Sequence, residues 1–172
     1  MHVILDGYNV IRQSDLLRSF ERRSLEEARS SLVRLAAAYQ RKKGHRVTVV
    51  FDGWSGGFPL EERDRYGNVD IIYSRKGEKA DEVIKRMVHH SGEEIIVVTS
   101  DRDVADYANR RGGSAVSSQD FEPILTNASL EAGITVGAVA AGEEEDRPAK
   151  GKGPSRRPSK REKAYKSRFR KL

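Results

Sequence analysis

Short apolar runs rich in β-branched residues recur along the first two thirds of the chain, each followed by a stretch with helical spacing. Val3 to Leu5, Val47 to Phe51, Val69 to Tyr73 and Ile95 to Thr99 are the four clear runs, and Ala115-Val116 is a weaker fifth. Unbroken apolar runs of this length, alternating with helices, are the mark of strands covered on both faces. The pattern therefore predicts an α/β fold, with a central, mainly parallel sheet of about five strands flanked by helices. Between the first two runs, Leu25, Ala28, Leu32, Leu35, Ala36 and Tyr39 fall on one face at spacings of three and four and predict a long helix. Ser24 with Glu27 makes a capping box at its start, and Gly44 supplies its stop. A second helix is expected from near Ala80, carrying Val83, Ile84, Met87 and Val88 to Gly92, and a third from Ser100 to just before Gly112-Gly113.

From Thr126 the periodicity gives way to small residues, then to Glu143-Glu-Glu-Asp146, then to Gly, Pro, Ser, Lys and Arg. Too little apolar surface remains there to offset the entropy of ordering the chain. The expected organisation is a domain over 1–125, a linker over 126–146 and a disordered basic tail over 147–172. Residues 159–172 are expected to turn helical on a partner, which would set Tyr165 and Phe169 on one face.

Charge separates the same parts. The chain of 172 residues carries a net +6, but residues 147–172 hold 12 basic side chains against one acid, Glu162. The rest holds 20 basic and 25 acidic residues, so an acidic body of −5 carries a tail of +11. Cysteine is absent, which removes disulfides, thiolate zinc sites and cysteine nucleophiles. Met1 runs straight into His2-Val-Ile-Leu-Asp6 without the charged start and apolar stretch of a signal peptide. The longest weakly polar run, Gly133 to Gly142, falls far short of the roughly 20 residues of a membrane helix. A soluble, cytoplasmic protein is the expectation. The histidines, at 2, 45, 89 and 90, have no spacing suited to a metal site.

In an open parallel sheet, chemistry sits outside the carboxyl ends of the strands. Here that rim is acidic: the first run ends in Asp6-Gly-Tyr-Asn9, the second in Asp52-Gly, the fourth in Asp101-Arg-Asp103, and the second helix opens with Asp81-Glu82. Each acid also has a plainer reading. Asp81, Glu82 and Asp103 suit a helix N-terminus through the dipole alone, at about 0.3–1 kcal/mol, and Asp52-Gly after a strand is an ordinary turn. Asp6 and Asp101 differ, because they follow runs expected to be adjacent and central. Carboxylates facing one another in a cleft are costly unless a cation joins them. Convergence of this kind points to Mg²⁺ or Mn²⁺, hard ions that take oxygen ligands. A dinucleotide site is disfavoured, since the turn after the first run has one glycine and a carboxylate where a pyrophosphate would lie.

Asp6-Gly-Tyr-Asn9, Phe51-Asp52-Gly, Lys79-Ala-Asp81-Glu82 and Thr99-Ser100-Asp101, in this order and spacing over residues 1–125, resemble the YacP-like branch of the NYN domain family, within the PIN-like nuclease group. The resemblance implies a parallel sheet flanked by helices and a divalent-metal-dependent endoribonuclease. It maps the metal-holding acids onto Asp6, Asp81 and Asp101, which are then expected to meet within a single ion's reach, and the motif's polar partner onto Asn9. Asp103 matches a second acid found in part of the group, and Asp52 is a further candidate. Family members are also linked to ribosome-bound mRNA, which makes RNA, mRNA and ribosomal RNA included, the implied partner.

An acidic cleft needs help to attract a polyanion. Lys76, Lys79 and Arg102, with Arg75, are the cations expected beside the cleft, and Arg156, Arg157, Lys160 and Arg161 are those expected to hold RNA from the tail. Tyr165 and Phe169 are placed to stack on bases, and Trp54 has two readings, a stacking platform or a cover for the sheet edge. A non-catalytic RNA- or ribosome-binding module with the same fold is the alternative to an enzyme.

Overall fold

The computed structural model describes residues 1–53 and 60–133. The chain divides into two units, Met1–Val136 and Gly137–Leu172, and all the described residues lie in the first. In chain order its elements are β1 (His2–Asp6), α1 (Gly7–Gln13), α2 (Asp15–Glu21), α3 (Leu25–Lys43), β2 (Arg46–Phe51), β3 (Glu62–Tyr66), β4 (Val69–Tyr73), α4 (Ala80–His90), β5 (Ile95–Val98), α5 (Arg102–Arg110), β6 (Ser114–Val116) and α6 (Ser118–Glu131). The strands form one sheet in the order β3-β4-β2-β1-β5-β6. Every pairing is parallel except that of β3 with β4. This is the expected α/β architecture with one strand more than the five read from the sequence.

The extra strand is β3, whose five residues, Glu-Arg-Asp-Arg-Tyr, are all exposed. An edge strand wet on both faces has no apolar alternation to betray it, and its charges protect the open edge against pairing with another chain. What did mark it is the two-residue Gly67-Asn68 connection to β4, a hairpin signal, with Gly67 at φ 58°.

Both faces of the sheet are covered, which is why its strands read as unbroken apolar runs. On one face Ile4, Val50, Ile72 and Val97 pack against Val83, Ile84 and Val88 of α4 and Val104 and Ala108 of α5. The opposite face meets α1 and α3, and α6 packs on both of these, with Tyr39 of α3 edge-on to Phe121 of α6 at 5.2 Å. Ser24 caps α3 by accepting from the Glu27 N–H, and Gly44 ends it at φ 68°. A serine cap of this kind stabilises by about 1 kcal/mol.

Three helices lie outside the expected set. Helices α1 and α2 have seven residues each, too short for periodicity to register, and Ser14 both ends the first and caps the second. Helix α6 starts at the Ser117 cap and runs through residue 131, so the stretch read as linker from 126 begins as helix, with Ala128 buried. Helix α5 starts at Arg102 rather than Ser100 because Asp101 is its cap. Among the described residues no helix is long and apolar enough to cross a membrane.

Candidate active site

Strands β1 and β5 are neighbours inside the sheet, so the turns that leave them carry Asp6 and Asp101 side by side at the carboxyl rim. Asp6 ends β1 and caps α1. Its Oδ1 accepts from the Asn9 N–H at 3.4 Å, and its Oδ2 accepts from the Thr99 hydroxyl at 2.9 Å. The residue is 7% exposed. Burial pushes its pKa up to about 6, and the nearby Asp81 and Asp52 carboxylates push the same way against the two hydrogen bonds. Asp81, in the first turn of α4, is also raised, by burial and then by the charges of Asp101 and Asp52, with Lys85 and Lys79 opposing. Four carboxylates from four separate segments thus share one field at this rim.

Besides Asp6, the cap of α1, two more of the four do structural work. Asp101 Oδ1 accepts from the N–H groups of Asp103 at 2.8 Å and Val104 at 3.1 Å, capping α5. Asp52 Oδ1 accepts from the Ala80 N–H at 2.6 Å. Lys79 occupies the cap position of α4 without a side-chain bond, so the cap comes instead from the end of β2. Both acids therefore cap helix starts while lending charge to the cluster, a role the sequence reading gave to neither, since it set Asp101 apart and read Asp52 as a turn. Among the described residues, no three acidic or histidine side chains stand close enough to hold one ion together. Asp6, Asp81 and Asp101 share a field but do not close into a cage: hydrogen bonds hold Asp6 and Asp101 in place, and like charges keep the group apart.

Asn9 is a tie between three segments. Its Oδ1 accepts from the Ser100 N–H at 2.8 Å and from the Ser118 hydroxyl at 2.8 Å, joining the start of α1 to the β5–α5 turn and the start of α6. Thr99 continues the network by accepting from the Asp101 N–H at 3.1 Å while it donates to Asp6. Asp103 stands apart: it is paired with Lys85 of α4, which holds its pKa below the usual carboxylate range, and its side chain is largely exposed. The structure thus places Asp6, Asp52, Asp81 and Asp101 together and turns Asp103 away to Lys85.

Lys76, Lys79, Arg75 and Arg102 are all exposed. Arg75 lies 3.3 Å from the buried Glu78 carboxylate, which Arg86 also holds, and Arg86 in turn reaches Glu61. The loop carrying Lys76 and Lys79 is fixed further by Ser74, whose hydroxyl donates to the Glu78 carbonyl at 2.6 Å and accepts from the Gly53 N–H at 2.8 Å. Gly53 passes so close that a Cβ would lie 1.8 Å from the Ser74 carbonyl oxygen, which only glycine avoids. Trp54, Arg156, Arg157, Lys160, Arg161, Tyr165 and Phe169 lie outside the described residues.

Sequence reasoning passed over Thr99 as a partner, Ser118, Lys85 and Glu78. Thr99 was visible as the last residue of an apolar run before an acid. The other three act through contacts between segments that no local pattern connects.

The donor types suit a hard divalent ion, and the elevation of both Asp6 and Asp81 is the strain that a cation would relieve. A crystal structure of Rae1 (YacP) from Bacillus subtilis aligns with a TM-score of 0.64 at 26% identity, over 77% of this chain and 78% of that one. A second crystal structure, of a point mutant of that protein, aligns with a TM-score of 0.63 at 27% identity, over 76% and 77%. The protein YacP of Bacillus subtilis (strain 168), described as uncharacterized, is 36% identical over 104 residues, and the match spans 58% of this chain and 59% of that protein. The family model for the YacP-like NYN domain matches residues 3–164, past the 1–125 over which the motifs are spaced and into the basic tail. NYN domains are of the PIN-like nuclease type. With nearly its whole length matched by that model and its fold shared with Rae1, the chain belongs to the YacP-like NYN domain family.

Proposed function

We propose that the chain is a divalent-metal-dependent endoribonuclease that hydrolyses RNA phosphodiester bonds. The observation that carries this reading is the buried Asp6 carboxylate, pushed up to about 6 with Asp81 and Asp52 adding to its burial, at the carboxyl rim of a PIN-like sheet. Capping α1 and accepting from Thr99 do not call for other acids beside Asp6, so the cluster is best explained by a cation it is built to receive.

Asp6, Asp81 and Asp101, which do not close into a cage by themselves, would have to draw together to hold Mg²⁺ or Mn²⁺. Bound there, such an ion lowers the pKa of a water and stabilises charge on the scissile phosphate. Thr99 and Asn9 keep Asp6 and the β5–α5 turn in register, and Lys79 and Lys76 offer cations to the RNA backbone at the mouth. Residues 147–172 supply the attraction that an acidic rim lacks: each phosphate they neutralise on single-stranded RNA contributes about 0.7 to the salt slope. Ribosome-associated mRNA is the substrate we favour, with the tail as tether.

RNA cleavage by the wild type, Asp6→Asn and Asp81→Asn in Mg²⁺ or Mn²⁺, with binding followed in parallel, tests the assignment. Loss of cleavage with binding retained is expected, and unchanged cleavage in both variants would overturn the site. The products should carry 5′ phosphate and 3′ hydroxyl ends; a cyclic phosphate would mean attack by the 2′ hydroxyl and overturn the water mechanism. A second reading, a non-catalytic RNA- or ribosome-binding module, draws on the lack of a closed three-acid cage among the described residues. Tight binding without cleavage in every form, on ribosome-bound RNA as well, would favour it.

A further inference from the structure

On the other side of the same rim stands a cation that no carboxylate among the described residues answers. Arg29, half-buried on α3, lies over the rings of Tyr8, Tyr73 and Phe51, with its guanidinium carbon 5.3, 5.7 and 5.8 Å from their centroids. Its Nε donates to the Tyr8 hydroxyl at 2.7 Å, and one terminal amino group donates to the same oxygen. Among the described residues it has no ion pair, whereas Arg46, Arg63, Arg65, Arg75 and Arg86 are each paired with an acid.

The three rings form a continuous wall. Tyr8 meets Phe51 edge-on at 5.4 Å, and Phe51 stacks on Tyr73 at 5.6 Å. Gly7 makes the wall possible, since a Cβ there would lie 2.3 Å from the Phe51 ring. Phe51 and Tyr73 are register partners at the ends of β2 and β4, and Asp6 pairs with Val50, one residue before Phe51. Phe51 and Tyr73 follow Val50 and Ile72 by one residue and so face α3, on the opposite side of the sheet from Asp6. The wall and the acids meet only at the rim, where their backbones are two strand spacings or less, about 10 Å, apart.

We propose that Arg29, set on the Tyr8–Phe51–Tyr73 wall, is a phosphate-binding subsite for the RNA strand as it leaves the acidic cluster. A guanidinium is the group suited to this position, because its fork matches phosphate and its face tolerates aromatic rings. The rings and the Tyr8 hydroxyl fix its plane and occupy Nε and one side of the fork. Among the described residues the other terminal amino group has no hydrogen-bond partner, which leaves it to an incoming anion. A cation held by rings rather than by a carboxylate keeps its full charge for the ligand. The proposal rests on the nuclease reading for the identity of the polyanion; the subsite itself rests on the unpaired guanidinium and the wall.

The test uses the full chain and a short single-stranded oligoribonucleotide. Binding is measured in chelator across a salt series, and cleavage is measured in Mg²⁺. Arg29→Gln is expected to weaken binding about tenfold, the effect of one charged hydrogen-bonded contact, and to lower the salt slope by about 0.7. In cleavage it should raise KM while leaving kcat within about twofold. Arg29→Lys keeps the charge but not the fork, so the slope should hold while affinity falls. Unchanged affinity and slope in a cooperatively melting Arg29→Gln protein would overturn the subsite and leave Arg29 as a brace between α3 and the sheet. Should Arg29→Gln fail to fold, Arg29→Lys decides: unchanged affinity overturns the proposal and reduced affinity at constant slope supports it. If no RNA is cleaved by any form yet the slope falls in Arg29→Gln, the subsite stands and the nuclease reading fails. If cleavage is robust and the slope does not move, only the subsite fails.

Discussion

The two ends of the sheet both carry charged side chains and treat them in opposite ways. At the amino end, Glu93 lies 3.5 Å from the Met1 amino group and 3.7 Å from Arg46, and Asp70 lies 3.7 Å from Arg46 and 3.0 Å from Arg65. Glu93, Asp70, Arg46 and Arg65 border a polar hollow of about 630 Å³, and both acids have cations there. His2 sits in it with its Nε2 2.8 Å from the Thr48 hydroxyl, and burial, aided by the Arg46 charge, lowers its pKa to about 4. At the carboxyl end, Asp6 and Asp81 are raised by burial and by other acids. Lys85, whose charge opposes that rise at Asp81, is itself bonded to Asp103. Balanced charge serves the fold; imbalance that the fold tolerates marks a place kept for something else.

Neutralising one carboxylate at each end breaks this comparison most sharply. In cleavage assays Asp6→Asn is expected to lose at least about a hundredfold in kcat, the scale of one removed electrostatic stabiliser, whereas Asp70→Asn should leave kcat alone. In thermal melts with chelator the signs reverse. An acid whose folded pKa is raised costs stability once it ionises, so Asp6→Asn should stabilise the cation-free protein near neutral pH, by up to about 3 kcal/mol. If Asp6→Asn is instead destabilised in chelator, the carboxyl end is a balanced structural site like the amino end.

His2 gives a pH signature to the amino end. Its folded pKa lies below the ordinary 6.5, so the unfolded chain binds the proton more readily between those values. The stability it contributes is present above about pH 6.5 and is lost as pH falls toward 4, over a range of up to about 3 kcal/mol. His2→Gln should flatten that part of the stability profile, and urea midpoints measured from pH 7 to 4 check it.

Smaller effects separate the two duties of the rim's acids. Asp52→Ala removes the remote cap of α4, at about 1 kcal/mol. Because α4 carries Asp81, cleavage should fall along with the melting temperature. Asp70→Asn should cost less than about 1 kcal/mol, as exposed ion pairs do, and less still at high salt.

Much of this was legible in the chain. The five apolar runs became β1, β2, β4, β5 and β6, and the Ser24 cap and Gly44 bound α3 as the spacing predicted. The second half of the capping box does not form, since the Ser24 N–H donates to the Phe20 carbonyl and Glu27 turns to Arg23. Buried parallel strands write themselves into sequence because both faces must be apolar. Strand β3 did not, since all its residues are wet, and α1 and α2 did not, since seven residues complete too few turns to repeat. The acidic rim was legible too, because acids at strand ends are local facts. Their arrangement was not. That Asp103 would turn to Lys85, that Asp52 would cap a helix 28 residues on, and that Asn9 would reach Ser118 depend on how the turns meet.

The sequence alone determined the layered α/β class, the family and the acids at the rim, because period, motif order and charge are properties of neighbouring residues. Only the tertiary structure decided which charges are balanced. It set Glu93 against Arg46, left Asp6 and Asp81 among their own kind, and gave Arg29 three rings and a hydroxyl in place of a carboxylate. The reason is that an electrostatic environment is a sum over everything within a few ångströms, and most of what lies within a few ångströms here comes from segments far apart in the chain.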